Sequence, residues 1–129
     1  MTSEIFCICD TATGKNGQLC ILHTFNDWIS QANPAQINGM AVAQIRCWPE
    51  DEGEHTICLK MIDADGEEAW HTEEAKGYPR VTQWSSAWIV MFGFTPSLPP
   101  GQYEVQLIVD GAEMASIPFG VQPHAVRIS

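Results

Sequence analysis

Apolar and polar side chains alternate with a period of two along most of this chain, in short runs broken by turn residues. Successive side chains on a strand point to opposite faces, so this pattern predicts strands half-buried in sheets; helical periodicity is nearly absent. The clearest run is Gln102 to Val109. Tyr103, Val105, Leu107 and Val109 fall on one face, Glu104 and Gln106 on the other. Asp110-Gly111 follows and supplies the positive φ angles that a two-residue type I′ hairpin requires. The return strand, Ala112 to Val121, carries Met114, Ser116, Pro118 and Gly120 on one face. Pro118 cannot donate to a ladder, so this strand lies at an edge or bends there. A second hairpin places His55, Ile57, Leu59 and Met61 on one face, turns at Asp63-Ala64-Asp65-Gly66 and returns over Glu67–Thr72.

Further strands are expected at Glu4–Asp10, Gln18–Phe25, Met40–Trp48 and Trp84–Phe94, the first two joined by Thr13-Gly14-Lys15-Asn16-Gly17. Asn26–Gly39 reads as a loop in which Asp27–Ala32 could make one helical turn. Glu73–Thr82 and Thr95–Gly101 read as loops. About eight strands, closely spaced turns and no crossover helices predict an all-β class. The expected architecture is an antiparallel immunoglobulin-like β-sandwich, and the length fits one domain.

Charge narrows the partners. Sixteen acids against six bases give a net charge of −10. That argues against nucleic acid, whose phosphates need clustered Lys and Arg, and against an anionic membrane surface. Acidity also simply favours solubility. The first ten residues lack the basic region of a signal peptide, and no later stretch is long enough to span a bilayer, so a cytoplasmic location is expected. Five cysteines at irregular spacings fit reduced thiols, most of them small core hydrophobes. No cofactor is implied.

Four stretches carry a family likeness: Phe6-Cys7-Ile8-Cys9-Asp10 with its glycine turn, Gly53-Glu54-His55-Thr56, Ile62-Asp63-Ala64-Asp65-Gly66, and Pro100-Gly101-Gln102-Tyr103 running to Asp110-Gly111. In these the chain resembles a bacterial family of uncharacterised single-domain immunoglobulin-like β-sandwich proteins. The resemblance implies a fold and a bacterial source and transfers no activity.

Asp63 and Asp65 are the candidate metal ligands. Alternate acids before a glycine resemble part of a calcium loop, yet Thr72 stands where the bidentate Glu of an EF-hand is needed. A calcium or ligand site in the acidic end loops, with Glu50, Asp51 and Glu52 nearby, is one reading; ordinary Asp turn chemistry is the other. His23, His55, His71 and His124 show no zinc spacing, there is no G-x-S-x-G elbow, and no cysteine has a basic neighbourhood. No catalytic residue is assigned and no enzyme is expected.

The apolar surface is more informative. Trp84–Phe94 is apolar on both faces around Trp88–Met91, whereas a two-sheet sandwich buries one face of each strand. In Met40–Trp48, Ala41, Ala43, Ile45 and Cys47 point inward, and Val42, Gln44, Arg46 and Trp48 outward. Trp48 beside Arg46 has the composition of an interface hot spot. Either another part of the chain, such as Asn26–Gly39, covers this second face, or it is an interface with Trp48, Arg46, Ile89 and Met91 as its residues. The function expected is a non-enzymatic protein-binding or scaffolding module, self-associating or binding another protein through a sheet face or edge. The Glu50–Glu74 stretch, with ten of the sixteen acids, would steer a basic partner.

Overall fold

A computed structural model describes residues 1–15, 18–30 and 32–123. Each of the eight expected strands is present: β1 (Thr2–Lys15), β2 (Gln18–Thr24), β5 (Gly39–Cys47), β6 (His55–Ile62), β7 (Glu68–His71), β9 (Ser86–Phe94), β11 (Gly101–Val109) and β12 (Ala112–Gln122). Four short strands join them: β3 (Asp27–Ile29), β4 (Ala35–Gln36), β8 (Ala75–Gly77) and β10 (Ser97–Leu98). The segments expected as loops therefore hold strands, and where one helical turn was expected over Asp27–Ala32, Asp27–Ile29 forms a strand. Its first residues instead pair with β12 in parallel, through Gly120–Asp27, Val121–Trp28 and Gln122–Ile29, the one departure from antiparallel pairing among the described strands. Two- and three-residue strands show no periodicity of their own; a partner creates them. The expected turn residues Asn16 and Gly17, and His124, lie outside the described residues.

β4 and β10 pair with each other as a small two-stranded sheet; of the two large sheets, the first runs β2-β1-β5-β9, and the second β3-β12-β11-β6-β7 with β8 also on β6. The two share one apolar core. Ile8, Ala41, Ala43, Ile45 and Phe94 come from the first sheet. Ile57, Leu59, Met61, Val105, Leu107, Val109, Phe119 and Val121 come from the second. The inward parities read from β5, β6 and β11 are those observed. In β12 the alternation holds from Ala115 onward, with Ser116, Pro118 and Gly120 on the outer face, and a bulge opposite Leu107/Ile108 takes up Met114, which packs against the core. Ala115, Ile117, Phe119 and Val121 therefore face the core.

Both turn readings hold locally. Asp110 and Gly111 have φ of 52° and 80°, the left-handed pair of a type I′ hairpin. Asp63 Oδ1 accepts from the backbone N–H of Asp65 and of Glu67, each at 2.9 Å, and Gly66 turns at φ 83°. That oxygen is thus already committed to the turn. Asp63→Ala should lower stability by about 1 kcal/mol, and Asp63→Asn, which keeps the acceptor, should leave it nearly unchanged. Urea unfolding of both variants measures the difference.

One feature decides what the surface looks like. β1 pairs with β5 over Thr2–Cys9 and with β2 over Cys9–Lys15, and its second half bends back with β2 over the outer face of the first sheet. There Cys9, Ala12 and Val42 are buried together, with Leu19, Ile21 and Met40 packed around them. A Cβ on Gly14 would stand 3.3 Å from Cγ2 of Ile89, which brings the hairpin as far as β9. The second face is therefore partly covered from within, by the β1–β2 hairpin and not by Asn26–Gly39.

Candidate functional site

β9, Ser-Ala-Trp-Ile-Val-Met-Phe-Gly-Phe, ends the first sheet. Among the described residues only β5 pairs with it, in unbroken register from Cys47–Ser86 to Gly39–Phe94. An edge strand leaves backbone N–H and C=O groups open to another chain, and proteins normally blunt it with charges, proline, bulges or shortness. The other edges here each carry such a device. β7 spans four residues and includes Glu68 and His71; β8 carries Lys76; β3 has three residues and begins with Asp27. The open stretch of β12 has Glu113, a bulge and Pro118. β2 runs unbroken over seven residues, and its backbone leaves the extended region at His23, whose φ is 56°. β9 has nine residues, no charge, no proline and no bulge.

The side chains along that edge are apolar both ways. Trp88, Val90, Phe92 and Phe94 pack toward the core. Outward, Ile89 stands opposite Gln44 and beside Gly14, and Met91 stands opposite Val42, at the rim of the hairpin cover and 41% exposed. A Cβ on Gly93 would meet nothing within 4 Å. Arg46, opposite Ala87, is held by its neighbours: Nη2 lies 3.0 Å from Glu4 Oε1, and Nη1 donates to Ser85 Oγ at 3.4 Å. The Arg46 hydrogen bond, helped by Gln44, holds the Glu4 carboxyl below its usual pKa. Trp48 follows β5 and donates its backbone N–H to Asp51 Oδ2 at 2.8 Å, leaving the indole 38% exposed. The structure thus brings Arg46, Ile89 and Met91 onto one face, with Trp48 at its end.

Sequence reasoning missed two aromatic residues at that end. Trp84 continues the parity of β9 on paper, but the strand begins at Ser86 and the indole is 87% exposed; Tyr78 is 61% exposed. Gly77 shows how this corner is built. A Cβ there would fall 2.2 Å from Cζ2 of Trp88, so only glycine lets β8 lie against that ring. Beyond it, Tyr78, Pro79 and Arg80 face Ser86–Ile89 across a cleft of about 200 Å³.

The remaining candidates are placed elsewhere. Among the described residues, no three His, Cys, Asp or Glu side chains gather as a metal-binding group. His71 is exposed, 3.1 Å from Glu68. Cys58 is buried on the opposite face of β6 from His55, as their spacing requires. Burial pushes up the thiol pKa values of Cys7, Cys9, Cys47 and Cys58, which keeps them protonated and poorly nucleophilic.

Fold and site together define an all-β protein whose two large sheets share a core, with β9 as a nine-residue, uncharged sheet edge. The chain belongs to the family of unknown function DUF6941, whose model matches residues 4–122. Among proteins of curated function none matches it. One of the solved structures similar to it is the Pseudomonas fluorescens alkylpurine DNA glycosylase AlkC bound to DNA containing an abasic site analog. The two are 11% identical, with a TM-score of 0.40 over 74% of this chain and 27% of that one. The chain thus spans about a quarter of that protein, and a likeness of this size carries no argument about DNA. No helix among the described residues is long and apolar enough to cross a membrane.

Proposed function

We propose that this protein is a non-enzymatic binding module that receives a strand of another polypeptide on the β9 edge. The observation that carries the reading is the contrast among edges: the others described are short, charged, proline-bearing or irregular, and among the described residues β9 is the longest edge without a charge, proline, bulge or positive φ. Strand addition of this kind takes affinity from main-chain hydrogen bonds and specificity from alternate side chains. Met91 and Gly93 flank the incoming strand on the outer face. Trp48, Tyr78 and Trp84 supply the aromatic anchors common in binding hot spots. A net charge of −10 favours a protein over nucleic acid or an anionic membrane, and with the reduced thiols it fits a cytoplasmic setting. The immunoglobulin-like form of the two sheets is supported by Tyr103, whose hydroxyl donates to the Pro99 carbonyl at 2.6 Å. A tyrosine hydroxyl bonded to the backbone a few residues upstream matches the tyrosine corner found in such sandwiches.

The test is native mass spectrometry of the protein recovered gently from its host. It should carry a second polypeptide, and the double variant Met91→Lys, Gly93→Lys should lose it while keeping the wild-type circular dichroism. Both positions are open enough to accept the lysines. A wild-type monomer, or an assembly that survives both lysines, contradicts the reading.

A further inference from the structure

The cleft at the start of β9 has its own chemistry. Its lining includes Tyr78, Pro79, Arg80, Ser86 and Trp88, and no acid. Arg80 makes no ion pair and no side-chain hydrogen bond among the described residues, in a chain where Arg46 is paired with Glu4 and Lys76 with Glu54. Glu54 accepts from the Tyr78 hydroxyl at 3.4 Å and Glu52 from the Val81 N–H at 2.7 Å, but neither pairs with Arg80, whose exposed guanidinium complements a carboxylate that it can hold with two parallel N–H donors. The position matters too. A strand adding antiparallel to β9 runs from Phe94 toward Ser86, so its C-terminal end arrives at this cleft. Tyr78, Pro79 and Arg80 line the same cleft as Ser86–Ile89, so Arg80 stands where that end arrives. Resting on the strand-addition reading above, we infer that the partner of β9 is the C-terminal end of an extended, apolar polypeptide, whose α-carboxylate is received by Arg80.

The probe is a library of seven-residue peptides displayed with free C-terminal carboxyl groups and selected on the full chain. Selected peptides should be alternately apolar, and each, remade as its C-terminal amide, should bind the wild type at least about tenfold more weakly, some 1.4 kcal/mol. Arg80→Gln should weaken the acid form equally and leave the amide form unchanged; Arg80→Lys should restore part of the loss. Peptides that compete at β9 but bind equally as acid and amide overturn the carboxylate assignment and leave strand addition standing. Acid-dependent binding untouched by the Met91/Gly93 lysines contradicts strand addition at β9 instead. A library that yields no binder overturns the inference, as does a β9-paired dimer of this chain that peptides cannot displace.

Discussion

Phe94→Ala should cost about 3–5 kcal/mol, a large part of the roughly 5–15 kcal/mol by which a domain of this size is folded. Phe94 is the last residue of β9 and is fully buried. Its ring stands edge-on to Trp70 and to Phe119, with centroids 5.3 Å away in each case, and Phe119 in turn meets Phe25 at 6.0 Å. These rings come from both sheets, so the cluster fastens β9 of one to β7 and β12 of the other. Removing the phenyl group leaves a cavity between the sheets that the surrounding strands can only partly close. Phe94→Leu, which fills most of the space, should lose only about 1–2 kcal/mol. Urea denaturation followed by tryptophan fluorescence is the check, with the midpoint falling and the slope unchanged. A loss below 1 kcal/mol for the alanine variant would mean that the aromatic cluster does not hold the sheets together.

The second large effect is one of pH, centred on His55. Its Nδ1 lies 2.6 Å from Asp110 Oδ2 and its Nε2 lies 2.6 Å from the carbonyl oxygen of Asp51. Both partners are acceptors, so this arrangement favours the imidazolium form, in which both ring nitrogens donate. The Asp110 hydrogen bond, opposed by burial, raises the His55 pKa above the usual 6.5, and the same bond lowers the Asp110 pKa below the usual 3.8. The signs then follow. A raised histidine contributes in full below 6.5, and its contribution is lost as pH rises through the higher folded value. A lowered aspartate contributes above 3.8, and its contribution is lost as pH falls through the folded value. The pair therefore stabilises most between about pH 4 and 6.5. The Asp110 carboxylate is half-exposed, so water screening reduces the pair to about 1–2 kcal/mol. Asp110→Asn keeps a side-chain oxygen and tolerates the left-handed backbone. It should fall short of the wild type by that amount at pH 5.5 and by much less at pH 9. An equal gap at both values would show that the charge on His55 contributes nothing.

How much of this was readable in advance follows from the range of each interaction. The inward faces of β5, β6 and β11 come from a period-two pattern, and the Asp110-Gly111 and Asp63–Gly66 turns from residues two to four apart; such signals are local. β1 was legible only in its first half, because the bend that lays it with β2 over Val42 depends on a surface built by β5 and β9. That bend also answers why β9 is apolar outward: Ile89 meets Gly14. Of the residues expected at an interface, Ile89 is thus partly a packing residue and Arg46 is ion-paired, while Met91 and Trp48 remain open. Tyr78 and Trp84 went unread because their exposure depends on where β8 ends and β9 begins. The His55–Asp110 pair joins residues 55 apart, and the Arg80 cleft joins a segment after β8 to the start of β9; neither leaves a mark in local sequence.

The measurement that most directly tests the β9 edge is hydrogen–deuterium exchange of the isolated chain against the assembly recovered from its host, read peptide by peptide. Strand addition predicts that amides of Ser86–Phe94 gain protection in the assembly while those of β7 and β12 exchange as before. Unchanged exchange across β9, with new protection at another edge, would contradict it.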